Sequence, residues 1–307
     1  MKKIVVSVSG GKDSTATLLL ALERDENVTA VFSDTGNEHP LTYEYLEYLE
    51  KALGMTFHRV KADFSRQMGV HRKFILEKWP LQGIPDEKVQ QAAAMMVPTG
   101  IPFLDLCIWK GRFPGNATSR FCTKELKTLP LTAFALSIVE DGSIVESWQG
   151  IRKDESRTRS TYLERETVHP QIEIYRPILD WKAKDTFAFA KSMGIKPNPL
   201  YKMGQRRVGC MPCINSRKED LRQIAIRFPE VIDRIEEWER LVGEASKRDS
   251  STFFCAEVEN EIAYQEGNIR KVVTWAVGEK PSLFLDFHEE QLVSEIAGCS
   301  SSYGLCE

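Results

Sequence analysis

The feature that most constrains the fold is an apolar strand that runs directly into a glycine turn and then into a helix. Residues 3–8 are rich in Val and Ile, residues 9–14 have the sequence SGGKDS, and residues 15–23 have helical periodicity. Strands are predicted at residues 3–8, 28–33, 55–60 and 144–150. Because strands that alternate with helices form parallel sheets covered on both faces, the sequence predicts an α/β, doubly wound, mostly parallel sheet.

Helices surround these strands along most of the chain. They are predicted at residues 15–23, 43–53, 74–78, 87–96, 126–137, 181–193 and 221–245. Pro130 is expected to break one of them near its start. In parallel sheets ligands bind beyond the carboxyl ends of the strands, and both the SGGKDS turn and Asp34 fall at such ends.

The distribution of apolar residues along the chain indicates a cytoplasmic protein without a membrane partner. No apolar run reaches the ~18 residues that a membrane span needs, and the first residues are too soon interrupted by charge and polarity for a signal peptide. In a reducing compartment the seven cysteines favour metal or redox chemistry over a disulfide framework.

Charge is unevenly distributed in a chain of net charge −3. Residues 108–218 contain 20 Lys and Arg against 11 Asp and Glu, a net charge of +9 that leaves −12 for the remainder. A basic middle segment favours an anionic substrate or a nucleic acid backbone, and a solvated surface of mixed charge is the alternative.

The SGGKDS turn has the composition of a phosphate-binding loop. Its glycines let backbone N–H groups approach an anion, the following helix offers its positive N-terminus, and Lys12 adds a mobile cation. The spacing is not that of a Walker loop. It resembles the PP-loop of ATP pyrophosphatases, which holds the pyrophosphate end of ATP while the α-phosphorus is attacked. The resemblance implies ATP and Mg²⁺ as cofactors.

Later segments resemble the phosphoadenosine phosphosulfate (PAPS) reductase family, in the same order. They are FSDTGNEHP at 32–40, WQGIRKDESR at 148–157, YRPILDW at 175–181, NPLYK at 198–202 and GCMPC at 209–213. The resemblance implies an adenine nucleotide alpha hydrolase-like catalytic domain over residues 1–218. Residues 219–307 are then a mainly helical appendage with a cysteine-containing tail.

This resemblance also assigns site residues. Lys12, Asp13 and Arg152 are predicted to be catalytic, and an arginine fork suits phosphate or sulfate. The predicted nucleotide-binding residues are Ser7, Ser9, Gly10, Gly11, Lys12, Asp13, Ser14, Asp34, Gly150 and Arg152. Turn stabilisation is the alternative role of Asp34.

Cys210 and Cys213 form a C-x-x-C pair that can bind a metal or form a redox disulfide. In the adenylyl-sulfate-reducing branch of the family, such a pair joins an upstream Cys-Cys pair around a 4Fe–4S cluster. Here only Cys122 is present upstream, so the fourth ligand is predicted to be Cys306, with Cys299 as the alternative. Zn²⁺ in place of the cluster, or no metal, is also open.

The other cysteines and the histidines do not have a spacing typical of a metal site. Cys107 and Cys255 lie in apolar surroundings and are predicted to be inert. The five histidines, His39, His58, His71, His169 and His288, are scattered without ligand spacing.

Three functions fit these features. The first is an ATP pyrophosphatase that adenylylates an acceptor for sulfur incorporation, with a nucleic acid acceptor as in DNA phosphorothioation and a cysteine desulfurase as sulfur donor. The second is a PAPS or adenylyl-sulfate reductase with a thiol reductant, against which the absence of a tail E-C-G-x-H motif argues. The third is a nucleotide-binding subunit without turnover. A homodimer is a further expectation.

Overall fold

The computed structural model describes residues 2–25, 27–115, 120–139, 143–254, 268–278, 303 and 305. Its strands are β1 (Lys2–Val8), β2 (Val28–Asp34), β3 (His58–Lys61), β4 (Ile144–Trp148), β5 (Arg165–His169) and β6 (Ile172–Tyr175). They form one sheet in the order β3-β2-β1-β4-β6-β5. All neighbours in it pair in parallel except β5 with β6. This confirms the predicted α/β, mostly parallel fold class.

Helices connect and cover the strands. They are α1 (Lys12–Arg24), α2 (Pro40–Leu53), α3 (Ser65–Lys78), α4 (Asp86–Met95), α5 (Pro102–Lys110), α6 (Phe121–Thr123), α7 (Leu129–Ser137), α8 (Ala183–Ser192), α9 (Lys218–Arg227), α10 (Pro229–Ala245) and α11 (Ile269–Val277). Short 3₁₀ turns lie at Pro80–Gln82, Lys153–Glu155, Arg159–Thr161 and Pro199–Tyr201.

The sheet is buried on both faces because its central strand is apolar on both. Val6 and Val8 of β1 pack with side chains of α1 and α2, whereas Val5 packs on the opposite face with Ala135 of α7. Successive side chains of a strand point to opposite faces, so an uninterrupted apolar run suits a strand covered on both sides. The arrangement places the SGGKDS turn at the carboxyl end of β1.

Several helices and strands begin at residues other than those predicted. Strand β3 begins at His58 rather than Met55, and α3 begins at Ser65, well before the predicted start at Phe74. Pro130 does not break its helix. A π-helical turn at Lys124–Thr128 leads into α7, and Pro130 lies in the first turn of α7, where a backbone N–H is not needed.

The predicted helical stretch 221–245 is divided in two. Phe228 has φ −139° and ψ 57°, outside the helical region, and Pro229 begins the next helix. The residue before a proline is disfavoured in the α region, so α9 ends before this pair.

A second core lies among the helices. Buried residues of α3, α4 and α5 share one cluster with those of α9, α10 and α11. Phe103 of α5, for example, stacks on Trp238 of α10 with a centroid distance of 5.7 Å. The described part of the chain after residue 218 is helical as expected, but its core is shared with residues before that boundary. The division at 218 stays a prediction. No helix in the described ranges is long and apolar enough to cross a membrane.

Glu239 fixes the C-terminal helices. Its buried carboxylate accepts hydrogen bonds from the backbone N–H of Phe253 (2.7 Å) and of Ile269 (2.8 Å), and from the Thr252 hydroxyl (3.1 Å). Burial raises the pKa of Glu239 to about 7, although these hydrogen bonds oppose the shift. One side chain therefore anchors the start of α11 and the segment after α10.

We expect Glu239→Gln to lower the free energy of unfolding by about 2 kcal/mol at pH 6. Only the oxygen of the glutamine amide can accept a hydrogen bond, so one buried backbone N–H loses its partner. Since the pKa of Glu239 is raised from 4.5 to about 7, the folded wild type holds a proton that the unfolded chain releases. Its stability therefore falls as pH rises through this window, and the deficit of the variant should be smaller at pH 8. Urea unfolding at both pH values measures this, and a deficit that grows with pH would contradict it.

Candidate active site

The glycine turn after β1 is held by contacts from a distant segment. The backbone N–H of Lys12 donates to the Tyr201 hydroxyl (2.8 Å), and the Asn198 side-chain amide donates to the carbonyl of Gly10 (3.2 Å). Gly10 has φ +72°, a conformation that favours glycine. The sequence segment NPLYK therefore braces the PP-loop-like turn from behind.

The end of β4 packs directly against the start of α1. A Cβ added to Gly150 would lie 2.7 Å from the backbone carbonyl of Asp13 and 2.8 Å from the amide of Ser14. Just beyond, the buried guanidinium of Arg152 donates to the Asp13 carboxylate (2.6 Å) and to Asp154. The pKa of Arg152 is raised: burial acts to lower it, but the negative charge and hydrogen bond of Asp13 outweigh burial.

Lys12 is directed to the side of the turn. Its ammonium lies 2.9 Å from the Asp13 carboxylate and 5.7 Å from the centre of the Tyr201 ring. Tyr303, close to the end of the chain, is 5.4 Å from the same ammonium and packs on Tyr201 and Phe187. The hydroxyl of Tyr303 also donates to the carbonyl of Arg206 (2.9 Å). Tyr303 therefore lies beside the glycine turn.

A cleft opens at the carboxyl ends of β1, β2 and β4, with a volume of about 240 Å³. Its lining is Ser7, Val8, Ser9, Ser14, Phe32, Ser33, Glu38, Lys127, Leu131, Gln149, Gly150, Ile151, Arg159 and Gly209. Small side chains and backbone from the three strand ends form its floor. Lys127 and Arg159 add cations from outside the sheet, which suits an anionic ligand.

Asp34 stabilises the turn that follows β2. Its carboxylate accepts from the Gly36 amide (3.0 Å) and the Tyr43 hydroxyl (2.7 Å), and pairs with Lys61 (2.9 Å). These bonds lower the pKa of Asp34, although its burial, the largest single influence, opposes them. Asp34 therefore shapes the turn in the way expected of its alternative role.

The same turn is joined to the cysteine loop. Asn37 accepts the Met211 N–H at its backbone carbonyl (2.7 Å) and donates from its side chain to the carbonyl of Pro212 (3.1 Å). Cys210 Sγ lies 3.3 Å from the Thr35 hydroxyl and 3.7 Å from the Glu38 carboxylate. Segments about 175 residues apart in the chain thereby form one wall of the cleft.

Lys127 lies among the thiols. Its pKa is raised chiefly by the charge of Cys210 and further by Glu38, Cys213 and Cys122, against the effect of burial. Burial raises the pKa of Cys210 to about 12. Three of the four predicted cysteine ligands therefore influence one lysine at the edge of the cleft. However, the described residues contain no group of three His, Cys, Asp or Glu side chains placed to hold a metal ion.

Residues 3–216 match the phosphoadenosine phosphosulfate reductase domain. The chain belongs to the PAPS reductase family. This confirms the family predicted from the motif segments, and it places the chain among nucleotide-using enzymes of sulfur chemistry.

Relatives of this PAPS reductase family member differ widely in similarity. An uncharacterised 37.8 kDa protein from the gpa 5′ region of Escherichia phage 186 is 45% identical, over 99% of this chain and 96% of its own. The phosphoadenosine 5′-phosphosulfate reductase of Alteromonas mediterranea is 24% identical, over 73% of this chain and 74% of its own. The crystal structure of the PAPS reductase from Candida auris is similar with a TM-score of 0.44 and 14% identity, covering 69% of this chain and 83% of that one.

The predicted site residues of this family member are only partly brought together. Ser7, Ser9, Ser14 and Gly150 line the cleft, whereas Lys12, Asp13 and Arg152 form a chain of ion pairs beside it. Cys107 is fully buried, as predicted. Cys306, Cys299, Cys255 and His288 lie outside the described residues.

Sequence reasoning missed four polar groups of the site. Glu38, Lys127 and Arg159 line the cleft, and Tyr201 supports the turn. Glu38 and Tyr201 belong to segments that were identified without assigning these residues a role. Arg159 follows the predicted loop 148–157 by two residues, and Lys127 lies five residues after Cys122. Proximity to a recognised segment was the available signal.

We expect Gly150→Ala to weaken nucleotide binding by at least tenfold. The new methyl group would meet backbone atoms of Asp13 and Ser14 below 3.0 Å, so the strand end or the phosphate-binding turn must shift. Isothermal titration with ATP and Mg²⁺ measures the effect. Gly69→Ala is the matched control, because nothing lies within 4 Å of its added Cβ. Equal affinities in the two variants would contradict the packing argument.

Proposed function

We propose that the chain is an ATP pyrophosphatase that activates an acceptor by adenylylation so that sulfur can be incorporated. The observation that carries the proposal is the cleft formed where the complete SGGKDS turn meets the ends of β1, β2 and β4, with Lys127 and Arg159 at its border. Beyond the strand ends of a parallel sheet is where nucleotides bind. A helix N-terminus next to such a cleft favours phosphate.

The proposed reaction has two balanced steps. An acceptor oxygen attacks the α-phosphorus of ATP, the bond to the bridging oxygen breaks, and pyrophosphate leaves with Mg²⁺. A hydrosulfide equivalent then attacks the activated acceptor atom and displaces AMP. A persulfide donor, such as a cysteine desulfurase supplies, delivers this sulfur only with two further electrons from a thiol reductant. ATP is thereby converted to AMP and pyrophosphate, and the AMP that leaves carries the acceptor oxygen that sulfur replaces.

The residues around the cleft have distinct proposed roles. Lys12 exchanges its Asp13 contact for the β- and γ-phosphates, and the backbone of Ser9 to Ser14 holds the same groups. Arg152 is a positioning residue, since both of its described carboxylate partners are protein groups. Lys127 and Arg159 offset the charge that develops at the α-phosphate.

A nucleic acid is the proposed acceptor, because residues 108–218 carry a net charge of +9 and two of their basic side chains, Lys127 and Arg159, line the cleft. The phosphodiester oxygens of DNA are anionic nucleophiles of the required kind. A homodimer and a partner desulfurase remain part of the proposal, and they require separate tests.

A metal centre is the second part of the proposal. Cys122, Cys210 and Cys213 all contribute to the electrostatic surroundings of Lys127, and Tyr303, three residues before Cys306 in the sequence, lies beside Lys12. Four thiolates suit a 4Fe–4S cluster or Zn²⁺. In the described arrangement Cys210 is engaged by Thr35 and Glu38, so metal binding requires this thiol to change partners.

The reductase is the second candidate function, and the thiols beside the cleft are the observation that favours it. A thiolate attacks the sulfonate sulfur of PAPS, the phosphosulfate bond breaks, and a second thiol releases sulfite while a disulfide forms. Burial raises the pKa of Cys122, and the negative charge of Cys213 adds to this effect, so a second thiol lies near Cys122.

Product analysis separates these functions. We expect anaerobically purified protein to release AMP and pyrophosphate from ATP and Mg²⁺, and no sulfite from PAPS with a thiol reductant. We expect Lys12→Met to lower AMP release by at least 100-fold, because one charged contact to the transferring phosphates is lost. The control is Lys51→Gln, an exposed lysine at the end of α2.

Each outcome of that assay has a defined meaning. Sulfite from PAPS identifies the reductase instead. Neither AMP nor sulfite, with ATP still bound, identifies a nucleotide-binding subunit. Turnover that persists in Lys12→Met would remove the SGGKDS turn from the proposed chemistry.

The metal proposal has its own test. We expect Cys210→Ser to lower bound iron or zinc at least fivefold when metal is quantified by elemental analysis after anaerobic purification, because a serine hydroxyl is a far weaker ligand than a thiolate. Cys107→Ala is the control, since Cys107 is a fully buried thiol with no predicted ligand role. Metal content that is equal in the wild type and Cys210→Ser would exclude this cysteine as a ligand.

A further inference from the structure

A second and larger depression lies away from the nucleotide cleft, on the outer face of α3. Its volume is about 580 Å³, and it is lined by Arg66, Gln67, Val70, His71 and Phe74 of α3 and by Trp109 at the end of α5. The five α3 residues recur along one side of the helix, at the spacing that places side chains in neighbouring turns. We refer to this depression as the α3 groove.

Aromatic rings form much of the α3 groove. The rings of His71 and Phe74 are stacked at a centroid distance of 5.6 Å with an interplanar angle of 18°. Trp109 stacks on the buried ring of Phe64 at 5.7 Å and 26°. Phe74 is 43% exposed and Val70 is 64% exposed. Flat, partly exposed rings held by packing from behind are suited to stacking against a planar ligand.

The charge around these rings is positive. Arg66 lines the α3 groove, and the ammonium of Lys110 lies 3.6 Å from the centre of the Trp109 ring. The pKa of His71 is lowered, first by burial and then by the positive charges of Lys110 and Lys247. His71, Lys110 and Lys247 therefore lie near one another. Neither Arg66 nor Lys110 forms an ion pair with any residue in the described ranges, and the groove lining includes no acidic side chain.

Helix α3, which forms most of the α3 groove, follows the edge strand β3. It starts four residues after the carboxyl end of β3, and Lys61 at that end pairs with Asp34 at the carboxyl end of β2. The first turn of α3 therefore follows directly from the row of strand ends at which the nucleotide cleft lies.

We propose that the α3 groove binds an unpaired base and the flanking phosphates of a single-stranded nucleic acid, with Phe74 stacking on the base and Arg66 and Lys110 contacting the phosphates. A small planar anion would need only one ring and one cation. A partly exposed ring with two cations near it suits a base that is part of a charged chain. A duplex keeps its bases stacked on each other, so it presents no base face to this ring. The inference deepens the proposed function, because it names a binding site for the nucleic acid acceptor. It rests on the proposed function for its biological role only, since the binding itself is measured without ATP.

The test is fluorescence anisotropy of a 5′-fluorescein oligodeoxynucleotide of twelve residues, with the RNA of the same sequence and the matching DNA duplex as separate arms. We expect the single strand to bind at least tenfold more tightly than the duplex. We expect Phe74→Ala to weaken that binding about tenfold without changing its salt dependence, because stacking is lost and no charge changes. We expect Arg66→Gln with Lys110→Gln to reduce the slope of log affinity against log salt by about 1.4, because each phosphate contact to a single strand contributes ~0.7.

The matched control is Trp275→Ala. Trp275 is an exposed ring with the ammonium of Lys218 at 4.6 Å, the same pair of chemical groups, and it does not line the α3 groove. We expect it to leave binding unchanged. Phe74 is substantially exposed, so its truncation should preserve folding, which the circular dichroism spectrum and the unfolding midpoint verify.

Three outcomes would overturn the proposal. They are no binding of either single strand by the wild type, equal affinity for strand and duplex, and a Phe74→Ala variant that binds as the wild type does. RNA and DNA arms of unequal affinity identify which strand the groove prefers and support it. Absence of AMP release from ATP would refute adenylylation while leaving these binding results intact, so the two proposals fail separately.

Discussion

The site depends first on the packing of the end of β4 against the start of α1. Gly150 lets the two backbones approach so closely that a methyl group would overlap Asp13, and Arg152 then closes the contact through the Asp13 carboxylate. Removing one partner of a buried ion pair costs about 3–5 kcal/mol, because the other charge stays buried and unpaired. The phosphate-binding turn is thus fixed from the side by β4 and from behind by Tyr201, before any ligand is present.

A second junction ties the far end of the chain to the same place. Arg234 of α10 donates to the Asn37 side-chain oxygen (3.1 Å) and to the carbonyl of Met211 (2.6 Å). Burial lowers the pKa of Arg234, and neighbouring anionic groups oppose that effect. A helix expected to belong to an appendage therefore holds the turn after β2 against the cysteine loop. The shared helical core has the same consequence, since motion of α10 would be felt at the cleft wall.

The sequence was sufficient for the parts of the fold that are encoded locally. A strand buried on both faces has a continuous apolar run, and the SGGKDS turn has a composition that few other structures need, so β1, α1 and the sheet class follow from a short window. The split between α9 and α10 was missed although its cause, Pro229, is local, because a strong charge pattern on both sides concealed it. The antiparallel β5 was missed because four of its five residues are exposed and it has no apolar pattern.

The rest of the site could not be predicted because it arises from contacts between distant segments. Lys127 gains its surroundings from residues 38, 122, 210 and 213, and no periodicity in its own helix distinguishes it from Lys124. Arg152 shows the converse limit. The chemistry of its side chain suits an anion of either origin, and only the structure shows that Asp13 and Asp154 occupy it. Residue type indicates what a group can bind, whereas the fold determines which partner reaches it.

The position of Lys12 follows from the same competition among partners. Its ammonium is held beside the cleft by one carboxylate and by the rings of Tyr201 and Tyr303. A cation over a ring contributes about 0.5–2 kcal/mol, and the charged bonds that a triphosphate offers are stronger, so ATP can draw Lys12 away. Asp13 keeps Arg152 when Lys12 leaves, which means that its carboxylate is never unpaired. Tyr303 loses one contact but keeps its ring contacts with Phe187 and Tyr201 and its hydrogen bond to Arg206. The phosphates of a nucleotide and the rings of Tyr201 and Tyr303 are therefore alternative partners of a single ammonium group.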